Sequence, residues 1–127
     1  PQHCARCPFS WIRNRGKCCY FSEDESDWTS SQTSCSALGA SLAMFDSTED
    51  LARRWSFTMR YKGFSQPWVG HSREGEEHPW KWVNHSPLSH LSQVQGDGFC
   101  AYLGNTGLSS THCSTQRNWV CTKSALQ

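Results

Sequence analysis

Trp28-Thr29-Ser30-Ser31-Gln32-Thr33-Ser34-Cys35-Ser36-Ala37-Leu38-Gly39-Ala40-Ser41-Leu42-Ala43-Met44-Phe45 is the stretch on which the fold turns. Ser26 or Asp27 ahead of it suits an N-cap, where a short side-chain oxygen accepts from a first-turn N–H that has no helical partner. Gly39 suits the left-handed residue that ends a helix. Trp28, Cys35 and Leu38 stand at spacings of seven and three, close to one helical face, and predict its buried side. Ser41–Phe45 carries Leu42 and Met44 on one side and predicts a short strand. Ser47-Thr48-Glu49-Asp50 then reads as the cap of a second helix running to about Met59, with Leu51, Trp55 and Met59 as its core stripe.

Upstream, residues 9–12 and 18–21 flank Arg13-Asn14-Arg15-Gly16 and predict a hairpin. Glu23, Asp24, Glu25 and Asp27 form an acidic loop before the first helix. Downstream, Pro67–His71, Trp80–Asn84, Phe99–Leu103, Leu108–Cys113 and Asn118–Thr122 are short strand candidates. The order is strand, two helices, then strands only. This predicts an α+β domain with helices beside short antiparallel sheets. The Ser, His, Gln and Gly-rich span between Asn84 and Phe99 is the longest without an element of its own, as loops with a function often are.

A chain of 127 residues holds one domain. Formal net charge is +1, without the basic footprint of a nucleic-acid binder. No apolar run approaches the roughly 20 residues of a membrane helix. Any anchor or targeting segment is expected upstream of Pro1. His3, His71, His78, His85, His90 and His112 show no metal-motif spacing, and no nucleophile elbow or phosphate loop is visible, so no metal, cofactor or enzymatic site is expected.

The eight cysteines are Cys4, Cys7, Cys18, Cys19, Cys35, Cys100, Cys113 and Cys121. An even count in a small domain suggests a disulfide framework in an oxidising compartment, though about 105 pairings are open to eight cysteines. Two other readings compete. Cys4, Cys7, Cys18 and Cys19 could ligate zinc, but adjacent Cys18 and Cys19 on a strand point to opposite faces. Cys4-Ala5-Arg6-Cys7 has redox spacing, but lacks the α/β context that such a motif needs.

Cys7-Pro8-x-x-Trp11, Gly16-Lys17-Cys18 with Tyr20-Phe21-Ser22, Trp28-x-x-Ser31-x-x-x-Cys35, Trp68-Val69-Gly70, Trp80-x-Trp82, Cys100, Cys113 and Trp119-Val120-Cys121 follow one another in an order that resembles a C-type lectin-like domain. Trp28-Thr29-Ser30-Ser31-Gln32, Arg60-Tyr61-Lys62-Gly63 and Ser72-Arg73-Glu74 with Pro79-Trp80-Lys81-Trp82 resemble the natural-killer receptor and ligand group, in its lectin-like transcript and early-activation-antigen branch. The resemblance implies a C-type lectin-like domain over 7–122, a stalk remnant over 1–6 and a tail over 123–127. It also implies bridges Cys7–Cys18, Cys35–Cys121 and Cys100–Cys113. For Cys4 and Cys19 the first choice is a fourth bridge; the alternative pairs Cys4 with a second chain and leaves Cys19 a buried thiol.

Sugar-binding members of that family draw calcium ligands from Glu-Pro-Asn or Gln-Pro-Asp in the long loop and from Trp-Asn-Asp on the next strand. Here those places hold His85-Ser86-Pro87-Leu88-Ser89-His90 and Leu108-Ser109-Ser110. Calcium needs several oxygen ligands, so calcium-dependent sugar binding is not expected. The resemblance implies instead a calcium-independent ectodomain of a type II membrane protein on the extracellular face of the plasma membrane. It would dock a protein receptor or ligand of the natural-killer type, itself a homodimer. The expected docking residues are Arg60, Tyr61, Lys62, Arg73, Glu74, Glu76 and Glu77, a mixture of both charge signs with an aromatic that suits steered docking. Asn84-His85-Ser86 is a glycosylation sequon at Asn84. A secreted or cell-surface lectin that stacks glycans on aromatics is the alternative. Trp68, Trp80, Trp82 and Trp119 are expected to be core, and His71 stands where the family usually has Leu.

Overall fold

The computed structural model describes residues 7, 11–14, 16–44, 66–75, 77, 78, 80–82, 94, 96–104 and 107–124. In chain order these form β1 (Ile12–Asn14), β2 (Lys17–Phe21), α1 (Trp28–Ala37), β3 (Ser41–Leu42), β4 (Trp68–Ser72), β5 (Lys81–Trp82), β6 (Cys100–Gly104), β7 (Gly107–Thr111) and β8 (Val120–Ser124). The strands make two four-stranded antiparallel sheets, ordered β1-β2-β8-β3 and β5-β4-β6-β7. This is the α+β arrangement expected. The second helix expected over 47–59 lies outside the described residues.

The hairpin differs from expectation. Its first strand is Ile12–Asn14, and Asn14 faces Lys17 across a two-residue turn. Gly16 has φ 80, a left-handed conformation that costs glycine nothing, and this moves the turn toward the second strand.

Helix α1 starts as expected: Asp27 is the N-cap, and its Oδ1 accepts from Ser30 N at 2.7 Å. Gly39, with φ 73, follows its C-cap. The buried face is corrected, however. Cys35 is fully buried, but Leu38 is 45% exposed and Ser31 is 0% exposed. Leu38 is itself the C-cap residue, with φ −98 and ψ 8. It has left the helical path, so a spacing of three from Cys35 no longer returns it to the same face. Ser31 fits the interior because its Oγ donates to Asp27 O at 2.7 Å.

Backbone bonds tie the two sheets together: Trp68 N donates to Asn118 O at 2.8 Å and Gly70 N to Ala43 O at 2.7 Å, while Ala43 N, donating to Val120 O at 2.9 Å, continues the β3–β8 ladder. Val69, Leu103, Leu108 and Val120 pack into one core cluster. Leu42, Trp68, Trp119 and the Cys35–Cys121 pair pack into another. Trp80 is half-buried against the first cluster.

Among the described residues three disulfides are present: Cys7–Cys18, Cys35–Cys121 and Cys100–Cys113. Cys7 and Cys18 bond to each other, which removes both the zinc reading and the Cys4–Cys7 redox reading. Cys35–Cys121 joins α1 to β8 across a separation of 86 residues. Cys19 is buried on β2, and Cys4 lies outside the described residues.

Candidate functional site

Arg73 directly follows β4. Its backbone N donates to Phe99 O at 2.9 Å, continuing the β4–β6 ladder one residue past the Ser72–Cys100 pair. The Arg73 side chain is then held in place rather than left free. Its Nε donates to Gly98 O at 3.1 Å. Its guanidinium carbon lies 5.0 Å from the centroid of the Trp80 ring and 5.7 Å from that of Phe99. Attraction of a cation to each ring is worth roughly 0.5–1 kcal/mol at a surface site. The tip of Arg73 therefore joins β4, the segment before β5 and the segment before β6.

Glu74, Glu77 and His78 are exposed on the turn that follows, closed by His78 N donating to Gly75 O at 3.1 Å. Of the seven expected docking residues, Arg73, Glu74 and Glu77 are thus placed on one surface stretch. Arg60, Tyr61, Lys62 and Glu76 lie outside the described residues, as do Asn84 and the His85–His90 segment.

Before β6 the chain runs flat against β7. Gly98 N donates to Ser110 Oγ at 3.1 Å. A Cβ on Gly98 would collide with the backbone of Thr111, so glycine is required for this close approach. The tight run leaves a depression of about 350 Å³ lined by Asp97, Gly98, Phe99, His112, Cys113 and Ser114. Phe99 at its rim is 39% exposed. Phe99 is not among the expected docking residues; the sequence expects it only as the first residue of the strand 99–103, and the one local signal is an aromatic directly after Gly96-Asp97-Gly98.

The groups gathered on this surface are a stacked cation, an exposed ring and carboxylates, all of which can recognise another surface. Asp97 is an exposed carboxylate, but the β7 positions opposite it are Ser110 and Thr111. Among the described residues no three His, Cys, Asp or Glu side chains converge on a point that could hold a metal ion. In the acidic loop Glu23, Asp24 and Glu25 are exposed, while Asp27 is engaged as the helix cap. His71 is 0% exposed on β4, and burial lowers its pKa from 6.5 to about 3. It is a neutral core residue at physiological pH. Trp68 and Trp119 are core, at 0% and 8% exposure, whereas Trp80 serves both the core and the Arg73 stack.

Comparison with known proteins agrees with this architecture. The family model described as Lectin C-type domain matches residues 24–123. C-type lectin domain family 2 member D of Homo sapiens is 45% identical over 120 residues, covering 94% of this chain and 60% of that protein. Member H of Mus musculus is 44% identical over 117 residues, covering 92% of this chain and 52% of that protein. The chain spans about half the length of the curated relatives it matches. Among solved structures, the C-type carbohydrate-recognition domain of cow CD23 superposes with a TM-score of 0.81 at 24% identity, covering 98% of this chain and 100% of that one. Human lithostathine gives a TM-score of 0.78 at 20% identity, covering 93% and 99%. The paired sheets, the α1–β8 disulfide and a match over residues 24–123 place the chain in the C-type lectin domain family, with family 2 members among its homologues.

Proposed function

We propose that this chain is a calcium-independent, protein-binding C-type lectin-like ectodomain that acts as a natural-killer-type immune receptor or receptor ligand. The feature that supports the reading is Leu108-Ser109-Ser110 on β7, at the position where the resemblance puts the calcium-chelating Trp-Asn-Asp of sugar-binding members. A surface without those oxygens has no strong hold on calcium, and hence no calcium bridge to a sugar. The mixed-charge stretch around Arg73, Glu74 and Glu77 supports docking to another protein surface.

The domain carries out no reaction in this reading; its work is surface complementarity on a disulfide-stapled scaffold. It occupies residues 7–122, with a stalk remnant before it and a short tail after it. It is displayed on the outer face of the plasma membrane by an N-terminal anchor, and it works as a homodimer. No helix among the described residues is long and apolar enough to cross a membrane. Asn84 carries a glycan, and Cys4 bonds Cys19 within one chain. Non-reducing mass spectrometry separates that bridge from an interchain Cys4 bond.

Labelled tetramers of the domain, applied to cells that each display one natural-killer-type lectin-like receptor, test the reading. Staining of a receptor-bearing line that persists in EDTA is the expected result. Staining that vanishes in EDTA, or that follows enzymatic removal of cell-surface glycans rather than the receptor, would replace the reading with a glycan-binding lectin. Calorimetric titration of calcium chloride is expected to show no micromolar isotherm.

A further inference from the structure

We propose that Phe99 is the anchor of a docking patch that fits a basic protein surface, a partner that sets an apolar side chain against the ring and Lys or Arg side chains around it. This rests on the protein-binding reading above and gives the partner its chemistry. Among the described residues only Leu38 and Phe99 are large hydrophobics with more than a third of their surface exposed. Leu38 ends a helix, whereas Phe99 stands at the rim of a depression of about 350 Å³. A half-buried ring beside a concavity is the arrangement that binding hot spots use, because the ring is already ordered and little freedom is lost on docking.

The ring is pre-positioned from beneath. Arg73 stacks on it at 5.7 Å, is fixed by the 3.1 Å bond to Gly98 O, and is backed by Trp80 at 5.0 Å. Arg73 is thereby part of the support, and its charge is partly covered. Among the described residues, the exposed ionisable groups of the adjoining segments are the carboxylates of Glu74, Glu77 and Asp97 and the imidazoles of His78 and His112; Lys81 is half-buried. An apolar centre with an acidic rim is complementary to a partner with an apolar centre and a basic rim.

The test selects a phage-displayed library of random dodecapeptides on the intact domain. Enriched peptides are expected to place Lys or Arg beside Trp, Phe or Leu. Phe99→Ser should weaken them at least tenfold, and Asp97→Lys should slow their association most strongly at low salt, both variants melting with the parent. If Phe99→Ser lowers the melting temperature, Asp97→Lys decides alone, since Asp97 is exposed. Enriched peptides that bind either variant within twofold of the parent overturn the patch, as does enrichment of acidic sequences or no enrichment at all. The same variants are applied as tetramers to the receptor-displaying cells. A receptor that binds the parent and Phe99→Ser equally removes the patch and leaves the protein-binding reading intact. Basic peptides held at Phe99 with no receptor staining remove that reading and leave the patch.

Discussion

The indole Nε1 of Trp28, the first residue of α1, donates to the Val69 carbonyl on β4 at 2.8 Å. The β4–β6 register shifts between Trp68 and Ser72, so this stretch of strand takes a partner from the helix. Trp28→Phe keeps much of the ring but strands a buried acceptor. The expected loss is about 1–3 kcal/mol, read as a fall of several degrees in Tm. A variant that melts with the parent would show that the bond is dispensable.

The cap at Asp27 gives a smaller and cleaner effect. Its Oδ1 accepts from Ser30 N at 2.7 Å, so Asp27→Ala should cost about 0.5–2 kcal/mol in urea denaturation. Asp27→Asn keeps an accepting oxygen in place and should recover most of that loss. Equal losses in both variants would point to the charge rather than the hydrogen bond.

The disulfides should rank by the length of chain they close. Cys35–Cys121 spans 86 residues and Cys7–Cys18 spans 11. On the chain-entropy account, replacing the first pair by alanines costs roughly 4–5 kcal/mol and replacing the second roughly 3. Denaturant midpoints of the two double variants check the order. The reverse order would mean that native-state packing, not the denatured chain, governs the loss.

His71 ties stability to pH. Its folded pKa is lowered from 6.5 to about 3 by burial, so between those values the unfolded chain binds the extra proton. Stability from this residue is therefore whole above pH 6.5 and declines as the pH falls toward 3, at roughly 1 kcal/mol per unit. Folding free energies at pH 7.5, 6 and 5 should show the decline, and His71→Leu should flatten it. An unchanged slope in His71→Leu would assign the acid sensitivity to other groups.

The elements that the sequence displayed plainly were those governed by local chemistry. Asp27 and Gly39 bracket α1 because capping depends on a few adjacent atoms, and the run expected as a strand over Pro67–His71 from side-chain type alone falls within one residue of the observed Trp68–Ser72. Leu38 was misplaced because periodicity counts residues without knowing where the helical path ends. The cysteine pairing was beyond counting and came from the resemblance. The Arg73 stack was half legible: the charge stood out, but its two rings arrive from segments 7 and 26 positions further along the chain. Only the β4–β6 pairing brings Phe99 beside it, and no local pattern encodes that encounter.

The pairing of Lys17 with Ser124 has a mechanical consequence. β2 begins and β8 ends at this same edge of their ladder, so tension applied across the two strand ends peels the bonds apart singly instead of shearing them together. Peeling proceeds inward through Cys18 and Cys19 to the Tyr20–Cys121 pair, where the covalent link of Cys121 to Cys35 passes the load from β8 to the end of α1. Pulled between those ends in an optical trap, the domain should yield a short, soft extension at low force, lengthen further only by drawing out the chain up to Cys35, and then lock on the disulfide.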